Sequence, residues 1–255
     1  MNGFVVMTYR QLKRFASAKS RLVMSIVNPV IWIVFFGLGW SNVFNVPGAK
    51  IMFGGLDYLT YLASGMVAMT IMMGSFISGI SVIWDKQFGF LKETLVAPTS
   101  RAEVILGRAF GDSLVTVFQG FIILVMMCFI APQIRVTGAV PALMYGMILS
   151  MGFTSLGITL SIKLSSSEGF QMIVNLMTMP LIFMSGVFYP IENMPEWMRA
   201  VAYVNPMTYA VDGMRYWLTG VSRFDPIVDI GLLSILTLAL LLLATRTYNK
   251  ATIED

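Results

Sequence analysis

The sequence predicts an all-α membrane protein: six transmembrane helices, an amphipathic helix ahead of them, and two connections patterned as further helices. Three observations carry this. Of the 255 residues 57% are hydrophobic and only 12% charged, with mean hydropathy +0.78; a soluble domain is about 25% charged. Charge-free runs long enough to cross about 30 Å of hydrocarbon occur five times, with a sixth close behind. Where polar residues interrupt them, apolar residues return at helical spacing. One membrane bundle accounts for nearly the whole chain, read as a single domain over 1–255.

Composition also removes functions. There is no histidine, which excludes Ser-His and Cys-His catalysis, haem ligation by His and ordinary zinc sites. The single cysteine, Cys128, lies in an apolar run, so there is neither a disulfide framework nor a thiol metal cluster. The 21 methionines sit mostly inside the spans and read as soft packing. A net charge of +4 is modest and gives no nucleic-acid signal.

In chain order, residues 1–21 form the first element. Val5, Tyr9, Leu12 and Ala16 line one side, and Arg10, Lys13, Arg14 and Arg21 gather on the other, as in a helix lying in the membrane interface. Attraction to anionic headgroups and contact with a partner both fit it. Spans follow near 22–44, 58–83, 108–131, 141–163, 170–190 and 227–247. The first run is too long for a signal h-region and lacks a small-residue cleavage site, so it reads as a retained anchor. Glycines 65, 74, 79, 152 and 157 permit close helix packing within the spans.

Lysine and arginine orient the bundle. With both termini cytoplasmic, inside segments hold 12 of them (Arg10, Lys13, Arg14, Lys19, Arg21, Lys86, Lys92, Arg101, Arg108, Lys163, Arg246 and Lys250). Outside segments hold 5 (Lys50, Arg135, Arg199, Arg215 and Arg223), as positive-inside bias requires.

The segment from Trp84 to Arg108 is the most patterned. Trp84, Phe88, Leu91 and Leu95 recur at i, i+4, i+7 and i+11, one stripe of an amphipathic helix, with Asp85, Lys86, Lys92 and Glu93 around it. Pro98 stops that helix, and Ser100-Arg101-Ala102-Glu103 is a capping box that starts the next. Such a helix is placed to dock onto something soluble; an ordinary polar loop on the lipid surface is the other reading.

The connection at 191–226 carries two more helix starts. Asn193-Met194-Pro195-Glu196 opens one near 195–203, and Asn205-Pro206, with Asn as N-cap and Pro at N1, opens one near 206–218. At about 14–20 Å these are too short to cross, so they form a re-entrant outer hairpin. Tyr189, Trp197, Tyr203, Tyr209, Tyr216 and Trp217 suit the outer interface or the exit of an amphipathic molecule. Asp212 and Arg215, three apart, are expected to form a local ion pair.

Absences narrow the reading further. No G-x-x-x-x-G-K-[ST] occurs, so this chain does not cradle nucleotide phosphates. Asp112, Lys163 and Asp229 are placed at span ends, and Pro29 and Pro180 bend their helices without a buried charge nearby. That disfavours an autonomous ion-coupled transporter.

Two stretches resemble a known family. Gly89-Phe90-Leu91-Lys92-Glu93-Thr94-Leu95-Val96-Ala97-Pro98-Thr99-Ser100-Arg101 has the Gly, Leu-rich run, Pro and Ser/Thr-Arg pair of type-2 ABC exporter permeases, the drug-resistance, polysaccharide-export and nodulation-factor permeases. Met194-Pro195-Glu196-Trp197 continuing to Asn205-Pro206-Met207-Thr208-Tyr209-Ala210-Val211-Asp212-Gly213-Met214-Arg215 resembles their Pro-x-Trp and Asn-Pro-[Leu/Met]-Thr-Tyr ending in an acid and an Arg. The likeness spans essentially the whole chain.

The resemblance implies a multi-pass cell-membrane permease that dimerises, contacts lipid and no nucleic acid, and recruits two copies of an ABC ATPase. ATP and Mg then sit on that partner, with no cofactor, metal or catalytic residue on this chain. Residues 84–107 become the cytoplasmic coupling segment, with Phe88, Leu91, Glu93, Leu95, Pro98 and Arg101 contacting the ATPase. Arg10, Lys13 and Arg14 of the interfacial helix flank that contact. Trp197, Asn205, Pro206, Tyr209, Asp212 and Arg215 mark the outer hairpin. The expected cargo is amphipathic, lipid-like, drug-like or glycan, and the first, second and fifth spans line its path. Rival readings are an autonomous secondary transporter or channel, a membrane-embedded enzyme, and a scaffold subunit without a cargo path.

Overall fold

The computed structural model describes residues 2–44, 47–164 and 166–250. The side chains of Lys19, Arg21, Leu91, Lys92 and Leu95, named above, lie outside the described set. Among the described residues the chain is helical, without strands. The helices are α1 (Gly3–Ser17), α2 (Lys19–Trp32), a π-helical turn (Ile33–Leu38), α3 (Gly39–Phe44), α4 (Pro47–Met52), α5 (Tyr58–Ser78), α6 (Ile80–Gln87) and α7 (Phe90–Val96). Then come α8 (Arg101–Ile130), α9 (Ala139–Lys163), α10 (Ser167–Phe183), α11 (Glu196–Val204), α12 (Pro206–Thr219) and α13 (Pro226–Lys250).

Four helical stretches are long and apolar enough to cross a membrane, namely Tyr58–Gln87, Arg101–Ile130, Val136–Lys163 and Pro226–Lys250. The expected first span is helical, but as two α-helical runs joined by the π-helical turn. The expected fifth span is shorter than 170–190. Its helix, α10, has 17 residues, about 25 Å at 1.5 Å per residue. It ends three residues beyond Pro180, where the Met184 N–H bonds the Pro180 carbonyl, and Gly186 at φ +77° then turns the chain back. The short helix α4 between the first two spans had no signal in the sequence reading.

The bundle is built around α5, buried on nearly every side by α8, α9 and α12. Two features let those helices close on it. Ser75 of α5, Thr116 of α8 and Ser150 of α9 are all buried, and their hydroxyls meet at 2.7–3.2 Å. Such hydroxyl contacts join helices that share no hydrophobic driving force in lipid. At Gly79 the α5–α6 rod breaks against α9. A Cβ there would stand 2.5 Å from the Gly157 carbonyl carbon, and Ser161 Oγ donates to the Gly79 carbonyl at 2.7 Å. Two glycines therefore allow backbone-to-backbone contact, and a serine on the facing helix satisfies a carbonyl at the break. By contrast, α13 leaves most of its apolar surface open, including Ile227, Ile235, Leu238 and Leu242, as a lipid-facing helix does.

Candidate functional site

The patterned segment after α5 is not one continuous amphipathic helix. The helix α6 runs on to Gln87, Phe88 caps it, and Gly89 at φ +80° turns the chain before α7 starts at Phe90. Left-handed backbone suits glycine and interrupts a helix, so Trp84 and Phe88 belong to one rod and Leu91 and Leu95 to another. Phe88 is left 84% exposed at the corner and Val96 72% exposed at the far end of α7. Glu93 and Pro98 are exposed as well.

Two ties hold α7 against the rest of the bundle. At its start the Arg10 guanidinium lies 3.9 Å from the centre of the Phe90 ring, a cation–π contact. Further along, Thr94 Oγ1 meets the Tyr248 hydroxyl of α13 at 3.0 Å. Arg101 donates to the Asn249 carbonyl at 2.8 Å and to that of Tyr248 at 3.4 Å, so the end of α13 is fixed to the start of α8. Ser100 caps α8 as the sequence predicts, its hydroxyl accepting from the Glu103 N–H at 3.1 Å. The other half of the capping box goes elsewhere: Glu103 Oε2 accepts from the Gly3 N–H at 3.1 Å and pins α1 to α8.

On α1 one expectation is corrected, the place of Arg10. Val5, Tyr9, Leu12 and Ala16 face away from the protein, as an interfacial helix requires, and Gly3, Met7 and Gln11 are buried against α8. Thr8 Oγ1 donates to the Gly107 carbonyl at 3.0 Å, and Gln11 Nε2 donates to Asp112 Oδ2 at 3.1 Å. Lys13 is exposed and Arg14 half-buried. Arg10 leaves the expected solvated cluster and grips Asp85 with both terminal nitrogens, at 2.6 and 3.2 Å. Arg108 reaches the same carboxylate at 2.7 Å and Ser81 Oγ at 2.6 Å. One buried aspartate thus holds two arginines, from α1 and α8, directly behind Phe90. Sequence reading had Asp85 as a polar-face residue and Arg108 as a positive-inside count. Nothing in their spacing shows that three separate helices meet there.

At the opposite end α11 and α12 lie within a residue of their expected bounds. Asn205 Oδ1 accepts from the Met207 N–H at 3.0 Å, and Pro206 stands at the first helical position. Asn205 Nδ2 also donates to the Leu181 and Met184 carbonyls, at 2.7 and 3.3 Å, and so ties the hairpin to the end of α10. Tyr209 donates to the Tyr203 carbonyl, and Trp197 is exposed.

The expected Asp212–Arg215 pair is only marginal, at 3.9 Å. Asp212 accepts from the Arg223 and Phe224 backbone N–H groups at 2.8–3.0 Å. Arg215 donates to the Gly186 carbonyl at 2.7 Å and lies 3.8 Å from the Tyr61 ring centre. Both line a cavity of about 250 Å3 with Glu192 and Arg223.

Asp112 lies well inside α8 and is buried, and Asp229 stands at the span end expected, in the first turn of α13, but is fully buried. Lys163, the last residue of α9, is exposed as expected. Among the described residues no cluster of metal-ligating side chains occurs.

Residues 2–219 match the family described as ABC-2 type transporter. This chain belongs to that family. It is similar to the putative transport permease ycf38 of Cyanophora paradoxa, 27% identical over 213 residues, 80% of this chain and 72% of that one. It is also similar to the inner membrane transport permease YadH of Escherichia coli K12, 22% identical over 87% of this chain and 86% of that one. The probable multidrug ABC transporter permease YbhR of the same organism is 28% identical over 62% of this chain and 43% of its own length. The ABC-2 permease is therefore the transmembrane subunit of an ABC transporter, a multi-pass membrane protein from a family that normally works with an ABC ATPase.

Proposed function

We propose that this permease is the membrane half of an ATP-driven exporter, with α7 as the coupling helix that a separate ATPase engages. The observation that carries the reading is the placement of α7. It leaves Glu93 and Val96 exposed, with Phe88 and Pro98 exposed just beyond its two ends, and is fastened to α1 through Phe90–Arg10 and to α13 through Thr94–Tyr248. A partner pushing on α7 then moves both helices. Coupling further requires that the partner bind the inward- and outward-open bundles with different free energies.

In this reading α2 with α3, and α10, complete six spans, both termini and 84–107 lie in the cytoplasm, and 191–226 form the outer re-entrant hairpin. Two permeases and two ATPases make the transporter, with ATP and Mg held by the partner. A homodimer with α10 near its axis is supported by Gln171 and Asn175. These amides bond each other at 2.9 Å on the exposed face of α10, beside Met172, Leu176 and Met179. Side-chain amides facing lipid are unfavourable, whereas a second copy or a cargo path accommodates them. Cargo is amphipathic, lipid-like, drug-like or glycan, moved outward from the cytoplasm or inner leaflet.

The test is reconstitution. Permease in proteoliposomes should export an amphiphile only when its P-loop partner and ATP are supplied, and the permease alone should neither bind nor hydrolyse ATP. Single-cysteine labelling in a Cys128→Ser background should protect position 90 from an impermeant external reagent. Labelling there overturns the topology. Buried Asp112 and Asp229 favour a second reading, an autonomous secondary transporter or channel. Transport driven by an ion gradient without any ATPase would establish it.

A further inference from the structure

Two carboxyls meet where α12 gives way to α13, and neither takes part in the coupling just described. Asp229, in the first turn of α13, is 0% exposed, and neither of its oxygens has a hydrogen-bond partner among the described residues. It lies within hydrogen-bonding reach of the Asp212 carboxyl of α12. Tyr145 of α9 closes the corner, with its ring against Gly213 and its hydroxyl donating to the Pro226 carbonyl at 2.7 Å.

Donors are divided unevenly between the two. Asp212 receives the Arg223 and Phe224 N–H groups, with Arg215 3.9 Å away, whereas Asp229 receives none among the described residues. Other neighbours do not make up the lack. The Tyr145 and Tyr209 hydroxyls, both near Asp229, donate to backbone carbonyls, and Asp225 adds a third acid. Beside Asp212, Arg223 is paired with Glu192, and Arg215 lies over the Tyr61 ring. Arg101 and Arg108 of α8 stand at the far end of α13, near Tyr248. A carboxylate buried without a donor neutralises rather than stay charged, and two of them side by side repel. One proton removes both difficulties, because it makes Asp229 the donor and Asp212 the acceptor. The cavity lined by Asp212 does not reach Asp229, and a proton needs no cavity.

We propose that Asp229 and Asp212 share one proton, which locks α12 and the turn after it onto α13. Asp212 holds that turn through Arg223 and Phe224, and Arg223 reaches on to Glu192 and Tyr203, so the pair anchors the α11–α12 hairpin. Without the proton two buried carboxylates face each other and the hairpin loosens. Unfolding releases the proton above the ordinary aspartate range, about 3.9, so stability falls as pH rises. The lock lies within one chain and needs neither an ATPase nor a second copy, so its test does not depend on the coupling reading.

The experiment compares purified full-length permease in detergent with Asp229→Asn, whose amide is a permanent donor of the same shape. From about pH 5 to pH 7 the wild-type unfolding constant should rise about tenfold more per pH unit than that of the variant, as one proton requires. At neutral pH the variant should be at least as stable as the wild type. Infrared spectra of the wild type at neutral pH should show a protonated-carboxyl band that Asp229→Asn lacks. Raising the pH further should lower protection from hydrogen exchange over residues 191–226 of the wild type before α5 and α9, and should leave protection in the variant unchanged. A wild-type unfolding constant that does not rise across that range, or a missing protonated-carboxyl band, overturns the proposal on wild-type protein alone. So does an Asp229→Asn permease that loses stability at neutral pH or keeps the wild-type slope. Protection lost evenly over the bundle refutes the lock, and protection restored at high pH by sodium but not by choline assigns the pair to a metal cation instead.

Discussion

The double-arginine grip on Asp85 makes the most demanding prediction. Asp85 is 7% exposed in its side chain and Arg108 4%, whereas Arg10 is 27% exposed. Replacing Asp85 by Ala leaves Arg108 buried without its counter-charge, still bonded to Ser81 alone among the partners described above. Removing one member of a buried pair costs about 3–5 kcal/mol, because the remaining charge stays away from water. Replacing Arg10 by Gln is different in kind. Its guanidinium reaches solvent, and Arg108 still neutralises Asp85, so the loss is that of a partly screened ion pair, about 0–1 kcal/mol, together with the Phe90 contact, about 0.5–1 kcal/mol.

Equilibrium unfolding of the purified permease in detergent should therefore rank Asp85→Ala far below Arg10→Gln. At about 1.4 kcal/mol per tenfold, the two unfolding constants should differ by about fivefold or more. The double mutant Asp85→Ala, Arg10→Gln should cost less than the sum of the singles, since the second change removes a charge already stranded. If Arg10→Gln destabilises as much as Asp85→Ala, or if Asp85→Ala is tolerated within 0.5 kcal/mol, as surface changes commonly are, then Asp85 is not the buried anion that joins α1, α6 and α8.

Leu91→Asp is expected to leave the permease in the membrane at normal levels but to lose its ATPase in co-purification, because a groove that excludes water cannot hold an unpaired carboxylate cheaply; Lys92→Ala should retain it, and the reverse order would refute the coupling assignment. Gly79→Val should lower thermal stability by about 1–3 kcal/mol through overpacking, since even a Cβ at that position would lie 2.5 Å from Gly157; a neutral effect would show that α6 and α9 are not in backbone contact. Asn205→Ala removes an N-cap of about 1 kcal/mol and leaves the Leu181 and Met184 carbonyls short of a donor, so limited proteolysis should cut the hairpin faster while the bundle core stays protected.

The sequence by itself determined the class. Apolar runs set against 12% charge require a bilayer, and the caps at Ser100 and Asn205 placed the starts of α8 and α12 where they are observed. Those signals are local, carried by residues within a turn or two of one another. The missing P-loop is local too, and with the Gly89–Arg101 and Met194–Arg215 stretches it led to the family.

What only tertiary structure decided is where charges go and which face turns inward. Asp85, Arg10 and Arg108 are 75 and 23 residues apart in the chain, yet share one buried site. Asp212 and Arg215 satisfy every criterion for a local pair, but the loop at Arg223 and the turn at Gly186 compete for them and win on distance. On α1 the apolar stripe is the obvious inward face in water. In a membrane it turns to lipid, and the Gly3–Met7–Gln11 edge packs against α8 instead. Hydropathy cannot separate lipid from protein core, because both are apolar. Only the shape of the facing helix, here its glycines at 107 and 111, makes that choice.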